Sequence, residues 1–357
     1  MDHQIKGVKL QLESGEVIDN AQAPVIVSAS RSTDIPAFYA DWFFHRLSVG
    51  YSAWTNPFNG QKSYVSYHDT RFIVFWSKNP YPLLKHLEKL ERRDIKCYIQ
   101  YTLNDYASEE FERVPSLQKR MDTFKRLVDR LGFGSVIWRF DPLIVTDRLE
   151  PEILLRRIED IGDQLKGYIE KMVFSFVDIA IYKKVKLNLE RDHVPYREWT
   201  AGQMEQFAST LSLLNHKWGY QLATCSEQID LEKYGIVHNR CIDDNLIIRM
   251  GHSDKELMRF LGVTVVDEVH PIDLLGTMPD FITLRNGQFA IKSRSNKDKG
   301  QRKLCGCIQS KDIGAYNTCP HCCKYCYANT SGEMARLNYR THLLNPYGEM
   351  ITSKQQQ

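Results

Sequence analysis

Three absences narrow the class of this 357-residue protein. The N-terminal residues MDHQIKGVKLQLESGEVIDN contain no apolar stretch of the kind that a secretory signal needs, so we expect a cytoplasmic protein. No run approaches the roughly eighteen apolar residues of a membrane-spanning helix, so we expect no membrane partner. The sequence also has little excess charge. Its 47 Lys and Arg residues against 44 Asp and Glu residues give a net charge of +3, which demands no polyanionic partner.

Cysteine, in contrast, is abundant. There are nine cysteines, an odd number, and in a chain without an export signal we do not expect disulfides. Cys97, Cys225 and Cys241 are scattered, whereas the other six fall between Cys305 and Cys326. Such clustering in a cytoplasmic chain indicates metal binding rather than a disulfide framework.

A short apolar run followed by an amphipathic helix recurs along the chain. The apolar runs are nearly continuous, as in parallel strands that are covered on both faces. The predicted strands are Pro24–Ser30, Phe72–Ser77, Lys96–Thr102, Ser135–Phe140, Lys171–Val177 and Gln221–Cys225. The predicted helices are Ala37–Val49, Tyr81–Leu90, Ser116–Leu131, Pro151–Leu165 and Thr200–Trp218. Six strands alternating with helices predict an α/β fold, a (β/α)6 partial TIM barrel over residues 1–225. Residues 226–357 form a C-terminal extension with a cysteine-rich tail, and its first part reads as irregular segments and short helices.

Polar residues follow each predicted strand, and in βα barrels these strand ends form the functional face. Arg31, Lys78 and Arg139 can bind a carboxylate or phosphate group, and arginine can do so through two parallel hydrogen bonds. Asp34 and Asp141 can bind ribose hydroxyls or position a substrate. We take these five residues as candidate catalytic residues. The alternative is that Arg31 with Asp34 and Arg139 with Asp141 form internal ion pairs that hold the mouth of the barrel.

The segment CGCIQSKDIGAYNTCPHCCKYCYAN, residues 305–329, contains a compact cysteine motif. Cys319, Cys323 and Cys326 are spaced CxxxCxxC, with an aromatic residue before the last cysteine. Thiolates this close together favour zinc or an iron–sulfur cluster. His321, inside the motif, reads as structural rather than as a ligand.

The motif resembles the signature of radical S-adenosylmethionine enzymes. The resemblance implies that Cys319, Cys323 and Cys326 bind three irons of a [4Fe–4S] cluster and that the fourth iron binds S-adenosylmethionine. It implies reductive cleavage of that cofactor to a 5′-deoxyadenosyl radical, which abstracts hydrogen from an unknown substrate. It also implies an electron donor such as flavodoxin or ferredoxin. The typical fold of these enzymes is a (β/α)6 partial barrel.

In those enzymes the motif normally follows the first strand, whereas here it lies near the C-terminus. This arrangement resembles an uncharacterised bacterial domain family, domain of unknown function eighteen-forty-eight, which looks like permuted radical S-adenosylmethionine enzymes. The motifs that carry the resemblance are SASRSTDIPAF (28–38), FWSKNP (75–80), RFDP (139–142) and CGC…DIGAYNTC…CKYCYAN. We take Tyr325, Tyr327, Asn329 and Ser175 as candidate cofactor-binding residues. CKYCYAN also resembles photoproduct-lyase-like enzymes, which makes nucleic acid a candidate substrate.

Four further cysteines form a possible second set. Cys225 is the last residue of the sixth predicted strand, and Cys241 lies just beyond it. Cys305 and Cys307 lie at the start of the cysteine-rich tail. We suggest that they hold a second, fully ligated [4Fe–4S] cluster. A structural zinc ion is one alternative, and buried thiols without metal are another.

Two other functions remain open. The CxxC pairs Cys319–Cys322 and Cys323–Cys326 are compatible with a zinc-binding module that interacts with nucleic acid, although zinc ribbons usually keep such pairs well apart. A divalent-metal barrel hydrolase is the other alternative. It would need several Asp, Glu and His ligands at the strand ends, and those ends offer carboxylates but no histidine.

Overall fold

The computed structural model describes residues 5–56, 59–225, 227–271, 276, 278–302 and 304–352. Over these residues the protein is a mixed α/β fold built around one large parallel sheet, which we call the main sheet. Its eight strands lie side by side in the order Ile236–His238, Gln221–Thr224, Lys171–Phe176, Val136–Leu143, Lys96–Thr102, Phe72–Ser77, Ile26–Ala29 and Lys311–Asp312. Every neighbouring pair is parallel.

The six predicted strands are confirmed, with ends that shift by three residues or fewer. Their spatial order is their order along the chain. A seventh strand, Ile236–His238, extends the series at one edge, and the C-terminal strand Lys311–Asp312 is added at the other. In the described parts of the chain these two edge strands do not pair with each other, so the sheet does not close into a barrel.

Burial on both faces explains why the strands read as continuous apolar runs. In the strand Phe72–Ser77, Ile73 and Phe75 join one hydrophobic core, whereas Phe72 and Val74 join another on the opposite face. We call these the outer and the inner face. The outer core holds the amphipathic helices Ala40–Val49, Leu117–Leu131, Pro151–Gln164 and Ala201–Asn215.

Two of the predicted helices differ in detail from the structure. The stretch Ala37–Val49 is divided at Tyr39 into the short helix Ile35–Phe38, which the Asp34 side chain caps, and the helix Ala40–Val49. The stretch Tyr81–Leu90 is a 3₁₀ helix, Tyr81–His86, followed by the short α-helix Leu87–Glu91. The other three are confirmed to within three residues at each end.

The inner face is covered by residues that follow the sixth strand. The helices Asp244–Gly251 and Lys255–Leu261 pack against it. A small antiparallel sheet of Val263–Val266, Phe289–Lys292 and Phe281–Thr283 follows. The short helices were predicted for this region and the small sheet was not. The proposed division of the chain at residue 225 stays a prediction.

The remaining elements lie outside the predicted pattern. The four-stranded sheet at the N-terminal end consists of Lys6–Gln11, Val17–Ala23, Lys62–Ser66 and Tyr51–Thr55. Val145–Thr146 pairs with Tyr196–Arg197, and the helices Lys183–Arg191 and Gly332–Leu344 complete the fold together with the 3₁₀ turn Glu232–Tyr234. Among the described residues, no helix is both long and apolar enough to cross a membrane.

Candidate functional site

The C-terminal segment reaches the carboxyl edge of the main sheet by adding a strand beside the first one. Lys311 pairs with Val27, and Asp312 pairs with Ser28. The Asp312 carboxylate accepts hydrogen bonds from Ser28 Oγ at 2.9 Å and from the Arg31 backbone N–H at 2.8 Å. It also accepts from Ser30 Oγ at 2.8 Å and from its own loop through the Gly314 N–H at 3.0 Å. This carboxylate therefore fastens the start of the cysteine segment to the end of the first strand.

The three cysteines of the CxxxCxxC motif lie just beyond this junction, and each is partly exposed. Backbone N–H groups of Asp34 and His321 face the Cys319 sulfur. The Cys326 sulfur accepts from the backbone N–H groups of Ala328 and Asn329, each at 3.3 Å. Such N–H donors stabilise negative charge on sulfur and are one of the factors that set the reduction potential of an iron–sulfur cluster.

The three motif thiols are close enough to influence one another's pKa values. Burial raises the pKa of the Cys323 thiol, and the neighbouring Cys326 and Cys319 add to that rise. Burial likewise raises the pKa of Cys319 and of Cys326. Among the described residues, no sulfur–sulfur hydrogen bond joins these three cysteines.

A buried polar cluster contacts the motif through Tyr325, which lies between Cys323 and Cys326 in the sequence. Lys78 Nζ donates to Glu112 Oε1 and to the Tyr325 hydroxyl, each at 2.9 Å. The Tyr325 hydroxyl donates to the same Glu112 oxygen, and Asn104 Nδ2 donates to it at 3.0 Å. The Glu112 side chain is only 2% exposed, and among the described residues its second oxygen has no hydrogen-bond partner. Burial lowers the pKa of Lys78, but Glu112 and Cys323 outweigh that effect and the net shift is a rise.

His321 links the motif to the first strand end. Its Nε2 lies 2.8 Å from Asp34 Oδ2, and its Nδ1 lies 2.8 Å from the Arg113 carbonyl oxygen. Asp34 also accepts from the Lys78 backbone N–H at 2.7 Å. The structure thus gives Asp34 and His321 full sets of protein partners, which agrees with the structural role expected for His321.

The two ion pairs considered at the strand ends have different outcomes. Arg139 pairs with Asp141, and Asp141 in turn accepts from the Ser175 hydroxyl. The pairing of Arg31 with Asp34 was wrong. Arg31 Nε instead lies 3.8 Å from Asp312 Oδ2, because the C-terminal strand brings that carboxylate to the end of the first strand.

The predicted cofactor-binding residues are not gathered at one point. Tyr325 belongs to the buried cluster. Ser175, on the fifth predicted strand, donates its hydroxyl hydrogen bond to Asp141. Asn329 is buried, and its side chain donates to the Cys319 carbonyl oxygen at 2.8 Å. The Tyr327 side chain is largely exposed, and its hydroxyl donates to the Arg31 carbonyl oxygen.

The four remaining candidate ligands lie close together, although Cys305 comes 80 positions after Cys225 in the sequence. The sulfurs of Cys225 and Cys241 are 3.3 Å apart. The thiol of Cys307 is within hydrogen-bonding reach of both Cys241 and Cys305. The contacts with Cys225 and Cys307, with Arg139 also contributing, hold the pKa of Cys241 well below its usual value. We call these four residues the cysteine tetrad.

The other two cysteines stand apart from both groups. Cys97 is buried in the outer core, as expected for a mid-strand residue. The Cys322 sulfur lies 3.5 Å from the Gly332 carbonyl oxygen, on the helix side of the motif. In the described residues as they are placed, no group of three or more His, Cys, Asp and Glu side chains stands ready to hold a metal ion.

Several residues of the site were not named as candidates from the sequence, although Asp312 begins the quoted DIGAYNTC motif. Glu112 and Asn104 lie in a loop after the third strand, and Asp312 lies in a two-residue strand. Asn188 sits on an unpredicted helix and donates to the carbonyl oxygens of Cys326 and Asn329, at 2.7 Å and 3.0 Å. The position of Asn104 just after a strand could also have indicated a role.

A family model described as Domain of unknown function (DUF1848) matches residues 26–328. The match runs from the first strand of the main sheet to just beyond the last motif cysteine. No curated protein and no solved structure matches the chain.

Proposed function

Because the chain belongs to the DUF1848 family, whose description states no activity, we propose a function from its own residues: it is a radical S-adenosylmethionine enzyme on a (β/α)6 partial barrel. Cys319, Cys323 and Cys326 would hold a [4Fe–4S] cluster. When bound, this cluster supplies the electron for reductive cleavage of S-adenosylmethionine. The observation that carries the proposal is the position of these three thiols at the carboxyl edge of a parallel sheet whose first seven strands follow chain order.

The topology answers the main objection, which is that the motif lies at the wrong end of the chain. The strand Lys311–Asp312 runs parallel to Ile26–Ala29 and is its neighbour at the edge of the main sheet. The cysteine segment leaves that strand in the same direction as a loop that follows the first strand. This supports the proposal, because the segment starts beside the end of the first strand, as does a motif that follows the first strand of a barrel.

The three sulfurs also have properties that suit a cluster. Each is partly exposed, so a co-substrate can reach the metal. Their lack of mutual sulfur–sulfur hydrogen bonds in the described structure suits a cluster in which every thiolate binds a different iron. Loading must deprotonate the thiols, and the Lys78 ammonium lowers the pKa of Cys323 against the effect of burial.

The residues around the three cysteines hold the motif loop in place and form the proposed substrate site. Lys78, Glu112 and Tyr325 hold the motif loop against the sheet through their shared hydrogen bonds. On the inner face, Arg139 is buried, pairs with Asp141 and donates to the Cys241 sulfur. We propose that the substrate binds at the ends of the strands, beside the three motif cysteines.

The test is anaerobic iron and sulfide analysis, followed by dithionite and S-adenosylmethionine with detection of 5′-deoxyadenosine. The wild-type protein should bind about four irons in the motif and release 5′-deoxyadenosine. Cys323→Ala should abolish both. Cys322→Ala is the matched control, because it removes a neighbouring thiol outside the spacing, and it should retain both.

Three results would contradict the proposal. Retained cleavage in Cys323→Ala would mean that the ligand assignment is wrong. Zinc in the motif, with no 5′-deoxyadenosine under any loading condition, would favour the zinc-binding module. Activity that depends on an added divalent ion would favour the hydrolase.

A further inference from the structure

The cysteine tetrad lies where the two edges of the main sheet approach each other. Cys225 follows the strand Gln221–Thr224, and Cys241 comes three residues after the edge strand Ile236–His238. Cys307 precedes the opposite edge strand, Lys311–Asp312, by four residues. Backbone contacts accompany the thiols, since the Ile308 N–H donates to the Ile242 carbonyl oxygen at 3.1 Å.

The sulfur–sulfur distance between Cys225 and Cys241 has the scale of a site for one metal ion. A tetrahedral zinc ion with zinc–sulfur bonds of about 2.3 Å holds its four sulfurs about 3.8 Å apart. The sulfurs of Cys225 and Cys241 are 3.3 Å apart, and Cys307 contacts both Cys241 and Cys305. In a [4Fe–4S] cluster each thiolate binds a different iron, so the four sulfurs must stand farther apart than in a site with one ion.

One ion fits among these thiols after a small adjustment of their positions. Opening the pair Cys225–Cys241 from 3.3 Å to about 3.8 Å needs a change of only half an ångström. Rotation of the side chains can supply a change of that size.

Nitrogen donors surround the tetrad as they surround thiolates in metal sites. Arg139 Nη1 and Asn239 Nδ2 each donate to the Cys241 sulfur at 3.3 Å. The Ile242 backbone N–H donates to the Cys307 sulfur at 3.4 Å. Arg139 and Asn239 are both buried. A buried guanidinium beside Cys241 and Cys225 is appropriate if those thiols carry negative charge, as zinc ligands do.

We propose that Cys225, Cys241, Cys305 and Cys307 bind one structural zinc ion, which fastens the two edges of the main sheet to each other. Binding converts four thiols to thiolates and releases four protons, so the site carries two net negative charges, and Arg139 donates a hydrogen bond to one of the thiolates. No electron is transferred. This replaces the second [4Fe–4S] cluster expected from the spacing, and it does not depend on the proposed enzymatic function.

The first experiment measures zinc in the purified protein by mass spectrometry, together with zinc-edge X-ray absorption. We expect about one zinc per chain, with four sulfur ligands at about 2.3 Å. The variant Cys305→Ser/Cys307→Ser should lose the zinc. Cys97→Ser, which removes a buried thiol of the outer core, and Cys323→Ala, which alters the other motif, should both retain it.

A failure of the double variant to fold would also remove the zinc, so a second measurement uses the wild-type protein. A mercurial reagent added in steps should release zinc in proportion to the thiols modified, with a circular-dichroism spectrum that keeps its helical signal. The assignment is overturned by a wild-type protein without zinc, by one iron ion in place of the zinc, or by loss of about four irons in the double variant. A disulfide between Cys225 and Cys241, seen as two missing thiols, would overturn it as well. None of these outcomes depends on cleavage of S-adenosylmethionine.

Discussion

Asp312→Ala should separate the cysteine segment from the main sheet. The wild-type carboxylate accepts four hydrogen bonds between 2.8 Å and 3.0 Å, from Ser28, Ser30, Arg31 and Gly314. A hydrogen bond in a folded protein contributes about 1 kcal/mol net, and more when one partner is charged. The four are not additive, and the side chain is 27% exposed, so we expect a loss of about 3 kcal/mol in the free energy of unfolding.

Asp312→Asn should cost less, about 1–2 kcal/mol, because the amide keeps one accepting oxygen of the same shape. The control is Asp122→Ala. Asp122 is exposed on a helix and accepts only from the Gln118 side chain, so its loss should cost less than about 0.5 kcal/mol.

The assay is urea unfolding followed by tryptophan fluorescence, together with limited proteolysis. Trp76 is a suitable reporter, because its indole N–H donates to Ser28 Oγ at 3.1 Å, beside the broken contacts. Cleavage between residues 304 and 318 should be faster in Asp312→Ala than in the control. If Asp312→Ala stays within about 1 kcal/mol of Asp122→Ala and resists protease equally, the junction does not hold the segment and this reasoning fails.

Two further changes test the interior of the site. Glu112→Ala should lower the free energy of unfolding by about 3 kcal/mol, because it leaves the Lys78 ammonium, only 16% exposed, without its carboxylate partner. In a double-mutant cycle with Lys78→Met, purely additive losses of stability would contradict this. Burial lowers the pKa of Lys311 to about 8, and its Nζ lies 3.7 Å from the centre of the Trp54 ring. Between about pH 8 and pH 10 the unfolded chain therefore keeps a proton that the folded chain has lost, so stability should rise with pH, by up to about 3 kcal/mol. Lys311→Met should remove that rise in urea-unfolding experiments at several pH values, and an identical rise in both proteins would refute the assignment.

The main sheet was predictable because its strands are covered on both faces and read as long apolar runs. The N-terminal strands were not predictable in this way. Lys6–Gln11 alternates exposed and half-buried positions and contains two lysines, so it resembles a polar lead. The strand Lys311–Asp312 has two polar residues and no periodicity at all, and its existence depends on the first strand beside it.

The site was predictable where chemistry lies in one short segment and not where it depends on contacts between distant segments. The spacing of Cys319, Cys323 and Cys326 is visible in the sequence. The partners of Arg31 and Lys78 are not, because Asp312 and Glu112 reach them only after the chain has folded. The tetrad is an intermediate case. Its members were selected from their places along the chain, whereas the metal that suits them follows from a sulfur–sulfur distance that no sequence contains.

The two proposed metal sites are joined by a short tether, and this has a thermodynamic consequence. Eleven residues separate Cys307 from Cys319, and Asp312 is fixed to the first strand between them. A zinc ion at Cys307 thus removes conformational freedom that the motif must otherwise lose when it binds its cluster. Such coupling is reciprocal in binding free energy. If zinc strengthens iron binding in the motif by some factor, the loaded motif must strengthen zinc binding by the same factor, whatever the structural route of the coupling. Unequal measured factors would therefore mean that one of the two titrations had not reached equilibrium.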